Sequence, residues 1–448
     1  MFSSKLASLI VALVVAAALT PGAVSVAISL RDPDAKVSNG DTSEWIKELR
    51  ALAGLLPHDP EWYESIVGFI QTHRGAAIDL CNVKQFGCSA HHEVETLNFE
   101  GALGVFAWDQ LPTAITSITF DKSFFFDSFA LPPVPGHVET LRYFDCRFDV
   151  SPPPGDHDHA IAGAKDMKPK AGAKTLAPGT SLRELVCRNC ALTTLDWATV
   201  PPHVVYLDVS CNNFTAIDFE KLPKNLRVLN VSFSAAKPGN IDPWGRLPPT
   251  LTTVDLSGLA LTTIGEMPPT LETLVLARNK LAAGSELSKV STSVKTLKLN
   301  YNLFSGECPP LTLLTGLLEV DLSGNALTSL QFSHLPRTIS IVRASNNQID
   351  GRLDLASLPR ELTILELAGN KLTGNADLGA LPKFIDTLDL QRNELSGPVD
   401  LTNLPNSMRF LFINDNKFVG RPDLSRLPVD LRRIMFGNNE WTSLMPPK

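Results

Sequence analysis

Apolar residues recur along the second half of the chain in a fixed eleven-residue pattern, apolar-x-x-apolar-x-apolar-x-x-Asn-x-apolar. Copies begin at Leu271, Val294, Leu317, Ile339, Leu362, Ile385, Met408 and Leu431. Their asparagines are Asn279, Asn302, Asn325, Asn347, Asn370, Asn393, Asn416 and Asn439, at steps of 23, 23, 22, 23, 23, 23 and 23 residues. Apolar positions flanking a single x, such as Leu388 and Leu390, have the period of a short strand with one face inward. A repeat that cannot bury its own face must stack on its neighbours, so the period predicts a solenoid with a parallel sheet. The asparagine falls where the chain leaves the strand. Its amide can satisfy backbone groups that the turn would bare, which predicts a structural ladder rather than chemistry.

The rest of the period is patterned as well. Gly-x-x-Asp-Leu-x-x-Leu-Pro recurs from Gly351, Gly374, Gly397 and Gly420. Glycine permits a turn, aspartate caps a short helical turn, and proline ends it. Looser copies begin at Val94, Ile115, Val138, Leu182, Val204, Leu226 and Leu251, with Ala102, Ser123, Cys146, Cys190, Asn212, Ser234 and Leu259 at the ladder position. Together these predict about 15 coils of 22–23 residues over 94–442, with the ladder broken at Ala102 and Leu259. Residues 151–180, rich in Pro, Gly, Ala and Lys, read as a flexible insertion. Between residues 28 and 93, Trp45, Leu49, Leu52 and Leu56, then Trp62, Ile66 and Phe69, share helical spacing. With Cys81 and Cys88, a disulfide candidate, they read as an N-terminal helical cap.

These residues resemble the extracellular leucine-rich repeats of plant receptor ectodomains and polygalacturonase inhibitors. The linked Asp-Leu-x-x-Leu-Pro phrase is similar to that of kinetoplastid surface and secreted leucine-rich-repeat proteins. The resemblance covers about Val94 to Trp441. It implies an α/β solenoid of horseshoe form, with a parallel sheet on its concave side, that recognises proteins or glycans at cell surfaces. The Trp-x-Gly-Val-x-Cys element of the family's N-terminal cap is not found, and neither the family's Thr/Pro-rich stalk nor its membrane anchor is expected.

The opening residues agree with export. Lys5 precedes an uncharged run from Leu6 to Leu30, interrupted by Pro21-Gly22 and carrying the small-residue triplet Ser25-Val26-Ala27. This reads as a signal peptide over residues 1–27, with an uncleaved anchor as the alternative. The mature chain is expected to carry no membrane span, and Asn213 and Asn230 head candidate glycosylation sequons.

Composition narrows function further. Hydrophobic residues make up 44% of the 448 and charged residues 19%, so the chain is not a disordered polar one. A net charge of −7 without a basic block argues against nucleic acid. Cys187-x-x-Cys190 has redox or zinc spacing, but its register puts Cys187 on an inward position and Cys190 on the ladder. Cys190 and Cys211, near one turn on adjacent coils, are a further pair to test. Neither His91-His92-Glu93 nor Asp156-His157-Asp158-His159 matches a metalloprotease helix, and no phosphate loop or nucleophile elbow is present. No catalytic residue, metal or cofactor is expected.

Binding is expected on the exposed strand positions of the concave face. Their central column runs Asp208, Asn230, Asp255, Val275, Lys298, Asp321, Arg343, Glu366, Asp389, Phe412 and Met435. The candidates are Arg343, Glu366, Asp389, Phe410, Phe412, Arg433 and Met435, because exposed aromatics beside arginine are frequent interface anchors. Two functions fit: a secreted or cell-surface module recognising a protein or glycan, or an inhibitor of a secreted hydrolase.

Overall fold

The computed structural model describes residues 134–148, 181–234, 242–282 and 284–442, with shorter stretches between 86 and 125. The signal segment, the two amphipathic stretches, Cys81, the insertion at 151–180, both histidine clusters and Ala102 lie outside the described residues. The chain forms a β-solenoid with a parallel sheet, in two compact units divided after Leu226.

In the N-terminal unit, strands Val94–Glu100, Ser117–Asp121, Thr140–Phe144, Glu184–Arg188 and Tyr206–Asp208 pair in parallel, in chain order. Phe144 registers directly on Arg188, so the strands bracketing the insertion are immediate neighbours. Their inward residues form a column of rings. Phe120 stacks on Phe99 at 5.2 Å and on Tyr143 at 5.1 Å, with Phe125 edge-on at 5.2 Å. The first parallel strand is covered by the short strand Phe86–Cys88, which runs antiparallel to it.

The C-terminal unit is more regular. Ten three-residue strands, from Val228–Asn230 to Arg433–Met435, form one parallel sheet without a register shift. The central residue of each strand from Leu229 to Leu411 is fully buried. Each Å² of apolar area so removed from water stabilises the fold by about 25 cal/mol. A second parallel sheet, absent from the sequence reading, joins Asp350–Arg352, Lys371–Gly374, Glu394–Pro398, Lys417–Gly420 and Glu440–Trp441. The recurring glycines Gly351, Gly374, Gly397 and Gly420 fall within these strands at φ of 83° to 93°, a region closed to most side chains.

Short 3-10 turns follow. Asp354 accepts from Ala356 N–H at 3.1 Å and Asp377 from Gly379 N–H at 3.1 Å, and each begins a three-residue turn. Asp400 and Asp423 accept likewise from Thr402 N–H and Ser425 N–H, both at 2.8 Å. No helix among the described residues is long and apolar enough to cross a membrane.

Candidate functional site

The site is the outward face of the strand sheet, and its geometry starts at the turns that fix strand register. In the C-terminal unit, Asn279 donates from Nδ2 to Leu256 O and Leu276 O, both at 3.0 Å, and accepts from Leu259 N–H and Leu261 N–H. Asn302, Asn325, Asn347, Asn370, Asn393, Asn416 and Asn439 repeat this arrangement. The amide thus ties otherwise bare backbone groups across two coils, four at Asn279 and at least three at each of the others, which accept from a single N–H. At Leu259 the side chain bonds nothing, yet Asn279 of the following coil still receives the Leu259 N–H.

The residue just before the ladder position adopts a left-handed backbone in coil after coil. It is Gly324 and Gly369 in some, but Phe233, Arg278, Tyr301 and Arg392 in others, at φ of 54° to 57°. This conformation costs a non-glycine residue about 1–2 kcal/mol. It also turns bulky side chains outward: Phe233 and Tyr301 are each 47% exposed. Sequence reading left this position as an x, because glycine and asparagine fill it only in some coils.

The cysteines take ladder places in the N-terminal unit. Cys146 Sγ donates to Phe144 O at 3.3 Å, and Cys190 Sγ to Arg188 O at 3.3 Å. The pairing of Cys190 with Cys211 does not hold. Cys211 sits one position before its ladder residue and points to solvent, and Asn212 is the neighbour that accepts from Cys190 N–H at 3.1 Å. The neighbouring Cys146 side chain, followed by burial, pushes the Cys190 thiol up. Burial likewise raises Cys187. Cys146, Cys187, Cys190, Cys211 and Cys308 are free thiols, and no cluster among the described residues has the makings of a metal site.

On the outward face, the column expected to be uniformly exposed is not. Asp208 is fully buried, ion-paired with Arg188 and accepting from Ser210 N–H at 3.0 Å and Ser210 Oγ–H at 2.6 Å. The same turn recurs in the C-terminal unit. Asp255 binds Ser257, Asp321 binds Ser323, and Asp389 binds Gln391 through its N–H at 3.1 Å and Nε2 at 3.0 Å. Much of the acidic column is therefore committed to its own backbone. Arg343 is also engaged, lying 2.6 Å from Glu319 and 3.3 Å from Glu366. Burial raises the carboxyls of Glu366 and Asp389 above the ordinary range, which Arg343 partly offsets at Glu366.

The last two strands differ. Phe410 registers on Arg433 and Phe412 on Met435. Both phenylalanines and Met435 are half-buried and Arg433 is exposed, with its guanidinium 5.8 Å from the Phe412 ring centre. Arg409 lies over Phe410 at 6.0 Å and is ion-paired with Asp386. The four candidates Phe410, Phe412, Arg433 and Met435 thus form one patch, while Arg343, Glu366 and Asp389 form a charged row on the three preceding strands, with Asp389 registering directly on Phe412. Of the sequon asparagines, Asn213 is exposed, whereas Asn230, at the end of its strand, accepts from Ser232 N–H and Oγ–H at 3.0 and 2.7 Å.

No protein-family model matches the chain, and no curated protein matches it in sequence. Solved structures do match in fold. The functional domain of InlJ from Listeria monocytogenes, described as including a cysteine ladder, aligns with a TM-score of 0.54 and 19% identity, over 77% of this chain and 68% of that one. The leucine-rich-repeat ectodomain of the Arabidopsis receptor kinase HAESA, solved with a peptide hormone ligand, aligns with a TM-score of 0.50 and 17% identity, over 80% and 65%. A leucine-rich-repeat protein of Leptospira interrogans aligns at 0.45 and 17%, over 75% and 81%. The chain therefore has the leucine-rich-repeat fold, shared with plant receptor ectodomains.

Proposed function

We propose that this chain is a secreted or cell-surface recognition module without enzymatic activity, which binds a protein or glycan partner through its strand face. The observation that carries the reading is the patch of Phe410, Phe412, Arg433 and Met435. Two adjacent strands present two half-exposed rings, a thioether and a guanidinium in register, without any of them being needed to fill the interior. Aromatic and arginine side chains held by a rigid sheet lose little entropy on binding, which suits an interface anchor. The HAESA ectodomain is an example of this fold carrying a peptide ligand.

The reading includes a horseshoe of about 15 coils whose concave side is this face, a helical cap with a Cys81–Cys88 disulfide, removal of residues 1–27, and glycosylation at Asn213. Its kinship would lie with plant-type and kinetoplastid surface repeats. Phe412→Asp tests it: melting should stay within a few °C of wild type while partner capture from native cell surfaces falls about tenfold or more. Undiminished capture overturns the patch. Inhibition of secreted polysaccharide hydrolases, unaccompanied by glycan binding, would favour the inhibitor reading.

A further inference from the structure

Beside the aromatic patch, the last coil carries an open hollow of about 470 Å³ lined by Asn414, Asp415, Ile434, Met435, Phe436, Gly437 and Asn438. We propose that this hollow receives a basic side chain, lysine or arginine, from an extended segment of a protein partner. The inference rests on the strand face being a binding surface and names the chemistry it selects.

The argument begins with a substitution in the repeat. In the coils of Asp321 and Asp389, the residue two positions on bonds back to the carboxylate. Here the acid is replaced by Phe412, so Asn414 has no such partner. Its Nδ2 instead donates to Asp415 at 2.5 Å and to Gln391 Oε1 at 3.3 Å. Those two acceptors fix which way the amide points and leave Oδ1 as the other end. Asn414 is 7% exposed, and its Oδ1 has no hydrogen-bond partner. A buried carbonyl without a donor is costly by about 1–3 kcal/mol, and few are retained in native proteins.

The second acceptor is the Asp415 carboxylate. Asn438 Nδ2 and Asn414 Nδ2 each donate to one of its oxygens, and these bonds hold its carboxyl below the ordinary range. A carboxylate has about four acceptor sites, so roughly two stay available after those bonds. The hollow therefore offers an anionic group and a carbonyl in need of a donor, and no cationic side chain lines it. Arg433, the nearest strand cation, is turned over the Phe412 ring.

The remaining walls suit the stem of such a side chain. Ile434, Met435 and Phe436 are only half-buried here, whereas Leu411 and Ile413 at the equivalent inward positions one coil earlier are fully buried. Lysine and arginine bury their methylenes along apolar surface while keeping the charged head among acceptors. Gly437 keeps the floor open: a Cβ built there meets nothing within 4 Å. That space leaves room for the head of an incoming side chain.

The test uses the full chain, immobilised, against hexapeptide pools with one position fixed as arginine, lysine, norleucine or glutamate. Arginine and lysine pools should be retained about tenfold more than norleucine pools, the scale of one charge-assisted contact, and glutamate pools least. Asp415→Asn should reduce basic pools to the norleucine level, and Gly437→Leu, which fills the hollow, should abolish the preference with unchanged melting. Equal retention of norleucine pools, no retention of any pool, or a basic preference that survives both substitutions overturns the proposal. A captured partner that is lost in Phe412→Asp but indifferent to Asp415→Asn overturns this inference and leaves the strand-face reading standing.

Discussion

The two units solve the same problem, holding a strand to its neighbour while the chain turns away, with different chemistry. In the C-terminal unit an asparagine at the turn ties several backbone groups, and strands of three residues suffice. In the N-terminal unit the last turn has such an asparagine, Asn212, after the three-residue strand Tyr206–Asp208, but the earlier turns hold Ser123, Cys146 and Cys190, which provide no amide oxygen. There the strands Ser117–Asp121, Thr140–Phe144 and Glu184–Arg188 are five residues long, and stacked rings fill the interior behind them. Longer pairing and aromatic contact offset the poorer turn. Cysteine at the ladder is thus explained by stacking, without any appeal to redox chemistry.

The contrast breaks most severely at Phe120. It is fully buried between Phe99 and Tyr143, so Phe120→Ala should cost about 3–5 kcal/mol. Because each coil touches only its neighbours, amide exchange should accelerate in strands Ser117–Asp121 and Thr140–Phe144 while strands from Ile341 to Met435 keep their protection. Equal loss in both regions would show that the ring column is not a local support. Next in size is the ladder itself. Asn370→Ala strands Ile349 N–H, Ala344 O and Leu367 O and should cost about 2–4 kcal/mol, whereas Cys190→Ala should cost about 1. Urea unfolding of the two variants measures both; comparable losses would mean that the thiol ladder carries as much as the amide one.

These two regions also differ in how far they could be read beforehand. The asparagine period is legible because one residue type must supply both a donor and an acceptor at one place, and its spacing places the strands of the C-terminal unit. The second sheet was missed: Lys371–Gly374, Glu394–Pro398 and Lys417–Gly420 each bury a single apolar residue, Leu372, Leu395 or Phe418, which is too little for an alternating pattern, and each contains a glycine in a left-handed region. The left-handed column was missed for a related reason. Backbone geometry demands it, and Arg278, Tyr301 and Arg392 adopt it against their own preference. For the candidate site, alternation identified which strand residues face outward, so the patch of Phe410, Phe412, Arg433 and Met435 was accessible. What alternation does not encode is engagement between coils. Arg343 is held by Glu319 and Glu366, and Asp208 is sealed by Arg188.

That last difference gives the smallest effect, and it should reverse sign between the units. Asp208 is buried against a guanidinium, so Asp208→Asn abandons Arg188 and should destabilise by about 1–2 kcal/mol at neutral pH. Asp389 lies in the equivalent column, but burial raises its carboxyl above the ordinary value of 3.8, with Gln391 and Arg392 only partly opposing the shift. The folded protein therefore holds this proton more tightly than the unfolded chain does. The stabilisation linked to that proton is complete below 3.8 and is lost as pH rises through the raised folded value. Asparagine has no such loss and can keep the bond from Gln391 N–H. Relative to wild type, Asp389→Asn should gain a few tenths of a kcal/mol, up to about 1, at roughly pH 7, and that gain should vanish near roughly pH 3. Thermal melts of both variants across this range decide it. An Asp389→Asn variant that is less stable than wild type at neutral pH would mean that the carboxylate is favourably engaged there, and that the two units treat their acids alike.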